Sequence, residues 1–473
     1  MFDALTVRRY SAAYISVIVF ALGLALVEIY VLDHGVSYRE VIVMLMVLAG
    51  LSAFAAGNKG LRVGLVFLVL TFALGYRTIE LTASLRVHPA EFVLWGLLAL
   101  TLVQRNRVTV WIPLWLIAFI PFWLWGWWPW LTGDFNWEPM FSEFKNFILL
   151  IPLFVLVGSV LGEKSGWRSV LLAFYLVGGW IAAMGIVEYV YPNARALFPT
   201  FMSVSEPVQT GDGFQRARFS FWGSADAVYV CVLALPIAAA VWEWWSNSWK
   251  RAVNVAIVVV MLGGIYISGH RNAWLMVALQ FLAFAAVRKQ YLLGIAVLLV
   301  FFSLYQFAPN AAKARFYSGT ELLTGQPVAT DSSGRKRWDR VTTSLNNTLT
   351  HPLGSGWTAA GWVHNDFLQV AENLGILAGA LFLGAYAFTL GRLWRGVRIA
   401  SLLREQRMLG IALLLSFTCA GIILATDANV VLPQLILPIW FVWVIAEIWL
   451  RQTRTKRVTK DETSFSHSAF ANL

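Results

Sequence analysis

The stretch Met408–Thr426, MLGIALLLSFTCAGIILAT, contains no charged residue. An α-helix needs roughly 20 consecutive apolar residues to cross the hydrocarbon layer of a bilayer, so this stretch is long enough for one crossing. A second apolar run, 432–450, begins after a short polar connection. Together the two runs predict two membrane-spanning helices.

The composition of the whole chain is typical of a membrane protein. Hydrophobic residues make up 59% of the 473 residues, charged residues only 13%, and 24 residues are tryptophan, which is far from the usage of a soluble domain. Hydropathy indicates about fourteen apolar runs. Because several are short, we expect an all-α polytopic protein with about 12–14 transmembrane helices. The runs are 12–33, 40–57, 61–76, 89–103, 108–127, 146–162, 168–191, 226–245, 252–268, 272–287, 290–307, 373–394, 408–426 and 432–450.

The basic residues indicate the orientation of the chain in the membrane. The formal net charge is +11, but Lys and Arg are scattered over the flanks of the apolar runs, which argues against a nucleic-acid partner. Cytoplasmic loops are enriched in Lys and Arg, and fourteen crossings place the most basic connections and both termini in the cytoplasm. We therefore expect a multi-pass membrane protein with a polytopic domain over 1–460 and a disordered cytoplasmic tail over 461–473; the resemblance described below implies that the membrane is the bacterial inner membrane.

Two long polar segments, 192–225 and 308–364, fall on the opposite, periplasmic side in this topology. Long polar connections on a rigid scaffold often carry function. Apolar residues recur within the second segment at spacings of three and four, which predicts an amphipathic helix lying in the headgroup region of the bilayer. These residues are Trp338, Val341, Leu345 and Leu349.

A shorter segment on the same side, 125–145, is rich in tryptophan: WGWWPWLTGDFNWEPMFSEFK. One interpretation is an aromatic belt at the membrane interface. The other is a sugar platform, in which indole rings stack on pyranose rings while Asp134, Glu138 and Glu143 bind hydroxyl groups.

Polar and titratable groups concentrate in the stretch 362–375, WVHNDFLQVAENLG. His364 falls at the outer end of the helix that begins near it. Asn365, Gln369 and Glu372 project within about a 60° sector of that helix. Capping of the helix start explains Asn365 or the aspartate after it. It does not explain the two deeper residues, because unpaired polar groups in a membrane are costly and usually serve a site.

Three arginines share the side of His364 in this topology. Arg271 lies between two apolar runs that are joined by almost no loop, and Arg216 and Arg218 lie just before another run. Such arginines can reach phospholipid headgroups from a membrane helix. Their planar guanidinium groups also bind phosphate oxygens in a bidentate way, so the cluster is a candidate phosphate site.

These residues resemble the O-antigen ligase and polymerase superfamily of bacterial envelope glycosyltransferases. The family pattern Arg-x-x-x-Leu looks like Arg271 to Leu275, and the pattern of His-Asn followed by Gly looks like His364, Asn365 and Gly375. The stretch SGRKRWDRVTTSLNNTLTHPLGSGW is similar to the long periplasmic loop of the family. The resemblance covers roughly residues 218–380, and the helices before it agree only in being hydrophobic.

The resemblance implies a GT-C-like fold whose long periplasmic loop carries amphipathic helices. The implied donor is a glycan linked through diphosphate to undecaprenol, and no cofactor is implied. The acceptor is a sugar hydroxyl, on lipid A–core for a ligase or on a lipid-linked glycan for a polymerase. In this scheme His364 is the general base. The implied diphosphate-binding residues are Arg271, Arg218 and Arg216, and the residues implied to orient the base or the acceptor are Asn365, Gln369 and Glu372.

Several alternatives remain open from the sequence. We expect metal independence, because no Asp-x-Asp pattern lies on the periplasmic side to hold a cation on the diphosphate. Ala378 and Asp226 depart from the family pattern and leave the choice between a ligase, which we favour, and a polymerase open. Functions of other classes are a lipid-linked glycan transporter, in which ionisable groups usually lie near the bilayer midplane, and a non-catalytic assembly subunit.

Overall fold

A computed structural model describes residues 60–72, 79–80, 86–103, 112–133, 137–161, 166–191, 224–292, 294–295, 299, 332–399, 402–427 and 433–470. Nearly all of these residues are helical. The predicted crossings 12–33 and 40–57 lie outside the described residues, and most of 290–307 does as well.

The described residues form α-helices and one short antiparallel strand pair. The strands are β1, Ile79–Glu80, and β2, Arg86–Val87, with Ile79 opposite Val87. The helices are α1 Gly60–Thr71, α2 Pro89–Val103, α3 Leu114–Trp125, α4 Trp128–Leu131, α5 Trp137–Ile148, α6 Leu150–Leu161, α7 Gly166–Val190, α8 Ser224–Ala234, α9 Ile237–Trp244, α10 Ser248–Ile267, α11 Arg271–Val287, α12 Ser332–Thr350, α13 Asp366–Leu374, α14 Ile376–Val397, α15 Arg404–Thr426 and α16 Pro433–Phe470.

The protein is a multi-pass, helical membrane protein. Seven stretches among the described residues are long and apolar enough to cross a bilayer: Leu114–Leu131, Trp137–Ser159, Trp167–Val190, Ser248–Ile267, Ile376–Val397, Arg404–Thr426 and Leu435–Thr453. Helices α8 and α9, bent by 45° at their junction, make an eighth if they form one crossing. The predicted runs 61–76, 89–103 and 272–287 form the shorter helices α1, α2 and α11. The total of about 12–14 crossings stays a prediction.

Two helices form the centre of the bundle. Most residues of the apolar stretches in α15 and α16 are buried, whereas fewer than a third of the residues in the stretches of α3 and α10 are buried. A helix that is apolar all round and also surrounded by protein lies in the core, and an apolar helix with an exposed surface faces lipid. Aromatic side chains pack in the interior of the bundle. The ring of Phe382 on α14, for example, stacks at 5.7 Å from that of Trp443 on α16 and meets Phe147 on α5 edge-on at 6.0 Å.

The helices extend into two segments that lie outside the predicted apolar runs. Most of 125–145 is helical, because α5 begins at Trp137 and continues with α6 as one apolar stretch to Ser159. Helix α16 continues to Phe470 and therefore includes most of the tail for which we expected disorder. The sequence after Pro438 contains neither proline nor glycine up to the end of this helix, so nothing in it interrupts the helical backbone.

Close packing of α7 against α10 gives a prediction about stability. A methyl group added at Gly264 would lie 2.7 Å from the Cβ and 2.9 Å from the Cα of Ala182, so the two backbones would have to separate. We expect Gly264→Ala to destabilise the protein by about 1–3 kcal/mol. Gly384→Ala is the control, because nothing lies within 4 Å of a methyl group there. Thermal unfolding in detergent should show a lower midpoint for Gly264→Ala alone, and equal midpoints would contradict close packing at this site.

Candidate active site

His364 lies in the turn that leads into α13. Its backbone φ of +60° is in the left-handed region, which histidine adopts more readily than most residues. The next residue, Asn365, caps the helix, since its side-chain oxygen accepts a hydrogen bond from the backbone N–H of Leu368 at 3.0 Å. Capping therefore accounts for Asn365. The side chain of His364 is 24% exposed, so it remains partly accessible beside a fixed helix end.

The side chain that contacts His364 is Asp427, at the C-terminal end of α15. The His364 Nδ1 atom lies 3.2 Å from Oδ1 of Asp427. The other carboxylate oxygen, Oδ2, accepts a hydrogen bond of 3.1 Å from the hydroxyl of Tyr229 on α8. The histidine is thus oriented by groups from two helices that are remote from it in the sequence.

This contact determines which nitrogen of His364 is available for chemistry. An ionised carboxylate can only accept hydrogen bonds, so a neutral His364 carries its proton on Nδ1 and donates it to Asp427. The other nitrogen, Nε2, then has a free lone pair. An imidazole in this form can take a proton, and the adjacent carboxylate stabilises the imidazolium that results.

Two arginines place positive charge near a second histidine, His270, which belongs to the same cluster as His364, Asp427 and Tyr229. The ring of His270, at the start of α11, is centred 6.4 Å from that of Tyr229. Desolvation by the surrounding protein lowers the pKa of His270 to about 4; the charge of Asp427 opposes this shift, and the charges of Arg337 and Arg271 reinforce it. His270 is therefore neutral near pH 7, and the positive charge beside it comes from the two arginines.

The structure relates two of the predicted site residues, His364 and Arg271, and places Gln369 and Glu372 in a separate buried network that is described below. His364 and Arg271 belong to one cluster, because Asp427 contacts the first and acts electrostatically on His270, the neighbour of the second. Arg216 and Arg218 lie outside the described residues.

The sequence analysis missed Asp427 and Arg337. Asp427 is the one acidic residue in the connection 427–432. In the predicted topology this connection lies on the same side of the membrane as His364. An acidic residue at that position could therefore have been predicted as a partner of the histidine. Arg337 ends a basic run at 335–337 in the second polar segment. We expected that run to lie beside an interfacial helix and did not connect it with the site.

Gln369 and Glu372 contact other helices rather than His364. The side chain of Gln369 donates a hydrogen bond of 2.8 Å to Oε1 of Glu143 on α5, and Glu372 accepts one of 2.8 Å from Asn347 on α12. Both residues are buried. These polar residues therefore join α13 to α5 and α12, and they fix the position of the helix that follows His364.

Glu143 is the centre of this buried network. Its Oε1 also accepts a hydrogen bond of 2.8 Å from the side chain of Asn373, and its Oε2 accepts one of 2.7 Å from the backbone N–H of Thr358. Asn373 in turn accepts a bond of 2.9 Å from the N–H of Ala360. This geometry corrects the interpretation of Glu143 as a sugar-binding carboxylate, because the side chain is buried and holds the segment before His364 in place.

The same segment inserts an indole ring between helices. The buried Trp357 donates through Nε1 to the carbonyl of Trp123 at 3.1 Å and through its backbone N–H to the carbonyl of Gly126 at 3.0 Å. Gly356 has a φ of +94°, and a side chain there would overlap Pro129. The glycine thus permits both the left-handed backbone and the close approach to the tryptophan-rich segment.

Within the described part of the chain, no group of three His, Cys, Asp or Glu side chains could hold a metal ion. The metal independence of the reaction stays a prediction. Comparison of the chain with protein-family models and with curated proteins gave no match.

The Glu143 network predicts a local change in backbone protection. In Glu143→Ala, the N–H of Thr358 and the amides of Gln369 and Asn373 lose their acceptor, and each buried donor left unpaired costs about 1–3 kcal/mol. Hydrogen exchange measured by mass spectrometry in nanodiscs should become faster in peptides covering 354–363. Glu138→Ala removes the same charge from a half-exposed position of the same helix and is the control. Unchanged exchange in Glu143→Ala would show that the segment is held by other contacts.

Proposed function

We propose that the protein is a membrane glycosyltransferase that transfers a glycan from an undecaprenyl-diphosphate-linked donor to a sugar hydroxyl, with O-antigen ligation to lipid A–core as the favoured reaction. The observation that carries the proposal is the contact of Asp427 with His364, together with the charges of Asp427, Arg337 and Arg271 that act on His270. A base beside positive charge is what this transfer requires, because a proton must leave the acceptor while negative charge develops on the leaving group.

His364 acts as the general base in this proposal. Its Nε2 takes the proton of the acceptor hydroxyl as the oxygen attacks the anomeric carbon of the donor. Asp427 stabilises the imidazolium through Nδ1, and Tyr229 holds the carboxylate in place. The bond from the anomeric carbon to the diphosphate oxygen breaks, and its electron pair leaves with the diphosphate. A single displacement of this kind inverts the anomeric configuration.

The arginines stabilise the departing diphosphate. Arg271 is the first residue of α11, a helix of 17 residues, so its guanidinium group lies near the positive end of the helix dipole. Arg337 adds a second positive charge from α12. Arg218, which looks like a second periplasmic arginine of the family, joins this set, with Arg216 as the alternative. Fixed positive charge assists most when negative charge grows on the leaving group, so these residues stabilise the transition state more than the bound donor.

The ligase and the polymerase share this chemistry and differ in the acceptor. In both cases the site faces the periplasm from the inner membrane, with both termini in the cytoplasm. A strain that lacks a ligase accumulates long lipid-linked polymer that is not attached to lipid A–core. A strain that lacks a polymerase carries single repeat units attached to the core. The surface glycan of a deletion strain therefore separates the two reactions.

Substitution of His364 provides the test of the base. We expect His364→Gln to lower the transfer rate about 10²–10⁴-fold, because glutamine forms hydrogen bonds but cannot take the proton. Asp427→Asn should also lower the rate, since it removes the charge that stabilises the imidazolium. The assay uses purified protein in nanodiscs with a lipid-diphosphate glycan and its acceptor.

The control for His364 is His351→Gln, which changes an exposed histidine in the same polar segment and should leave the rate unchanged. Donor binding should be retained in His364→Gln, because the diphosphate is assigned to arginines. Transfer at the wild-type rate by His364→Gln would remove it as the base.

Arg271 has a separate test. Arg271→Lys keeps the positive charge but loses the planar pair of donors, so we expect kcat to fall at least about tenfold if the guanidinium group binds the diphosphate in a bidentate way. Arg395→Lys, at an exposed position of α14, is the matched control. Full activity of Arg271→Lys would leave Arg271 as a headgroup contact only.

A further inference from the structure

Helix α12 has its apolar side chains on an exposed face. Trp338, Leu345 and Leu349 are 65%, 48% and 64% exposed, and they fall within about 40° of one another on a helix of about 100° per residue. Ser344 and Thr348, about 100° further round, are buried. The helix therefore turns small polar residues toward the protein and large apolar residues away from it.

This arrangement is opposite to that of a helix on the surface of a soluble protein, which buries its apolar face. The buried face of α12 is held by polar contacts, including the hydrogen bond from Asn347 to Glu372 on α13. The apolar stripe that Trp338, Leu345 and Leu349 form is consequently not needed for packing within the chain. A stripe of this kind is stable when something apolar outside the chain covers it.

The position of the stripe identifies what covers it. It continues past the end of α12 to Leu353, which is 67% exposed. The carbonyl of Leu353 accepts a hydrogen bond of 2.8 Å from Nε1 of Trp125, an exposed residue at the end of α3. The membrane-spanning stretch that contains α3 is mostly exposed, as expected for a helix that faces lipid. The stripe is thus continuous with a lipid-facing surface at one end of a membrane crossing.

We infer that α12 lies along the bilayer surface with Trp338, Leu345, Leu349 and Leu353 inserted among the lipids, as a monotopic helix attached to the bundle. Its third face, which carries Lys336, Asp339, Thr343 and Asn346, points to water. The sequence predicted an interfacial helix with Val341 on the same apolar face; the structure shows Val341 half-buried, adds Leu353 to the face, and shows where the helix joins the bundle.

This inference does not depend on the proposed function. It has a consequence for the candidate site, because Arg337 lies on the same helix and its charge acts on His270. The lipid contact of α12 sets the height of this arginine above the membrane. The cluster around His364 therefore lies at the depth of the lipid headgroups, where a diphosphate on a lipid would also lie.

The inference is tested with a fluorophore on two faces of α12. Leu345→Cys and Thr343→Cys each receive an NBD label; the positions are about 160° apart around the helix. The native Cys231 and Cys419 are buried and should not react. The full chain is placed in nanodiscs of phosphatidylethanolamine and phosphatidylglycerol, with or without phospholipids brominated near the top of their acyl chains. We expect brominated lipid to quench the label at 345 at least twofold more than the label at 343, and aqueous iodide to show the reverse preference.

Other occupants of the stripe give different results. Equal quenching of both labels by iodide, with none by brominated lipid, would place the stripe in water and overturn the inference. Protection of the label at 345 from both quenchers would mean that protein covers it, and cross-linking between two Leu345→Cys chains would identify a second copy as the cover. Leu349→Cys repeats the measurement on the same face if Leu345→Cys does not fold.

Discussion

An irregular segment that enters a bundle of membrane helices has to find hydrogen-bond partners for its own backbone, because lipid provides none. Residues 351–363 meet this constraint in two ways. The N–H groups of Ser355, Gly356 and Trp357 bond to the backbone carbonyls of Glu372, Asn373 and Gly126, and two further N–H groups depend on Glu143. The carboxylate of this residue accepts the N–H of Thr358 directly, and it fixes Asn373, which accepts the N–H of Ala360. At the start of the segment, the carbonyl of Pro352 accepts the N–H of Ile376. The segment is thereby held along its length, and the position of His364 follows from it.

The candidate site depends on this anchoring because its parts come from connections that are far apart in the chain. His364 directly follows the segment, Asp427 directly follows α15, and His270 directly precedes α11. Each of these residues adjoins a helix end, where side chains can reach one another without disturbing the helical backbone. The result is a carboxylate that orients one histidine and shares its electrostatic surroundings with a second, neutral histidine and two arginines.

The sequence was informative where hydropathy decides the structure. The apolar runs 168–191 and 408–426 closely match the helices Gly166–Val190 and Arg404–Thr426, because the length of an apolar run is a local property. Topology and resemblance also suggested one site for Arg271 and His364, which stays a prediction. The partner of Gln369 was not predictable, because Glu143 is more than two hundred residues away in the chain and meets it only after the bundle has formed. Helical periodicity indicates which residues share a face, but it does not show which helix that face will meet.

The buried charges of the bundle bear on the alternative of a transporter, which would place accessible ionisable groups along a path through the membrane. In the described part of the chain, two buried carboxylates within the helices are paired: Glu91 with Lys145 at 2.7 Å, and Glu447 with Arg392 at 2.9 Å. These pairs join α2 to α5 and α14 to α16, so their charges connect neighbouring helices. The contact between His364 and Asp427 differs because both side chains remain partly exposed. This pair lies where two helix ends meet, at a position that suits the proposed chemistry at the membrane surface better than movement of a solute through the bundle.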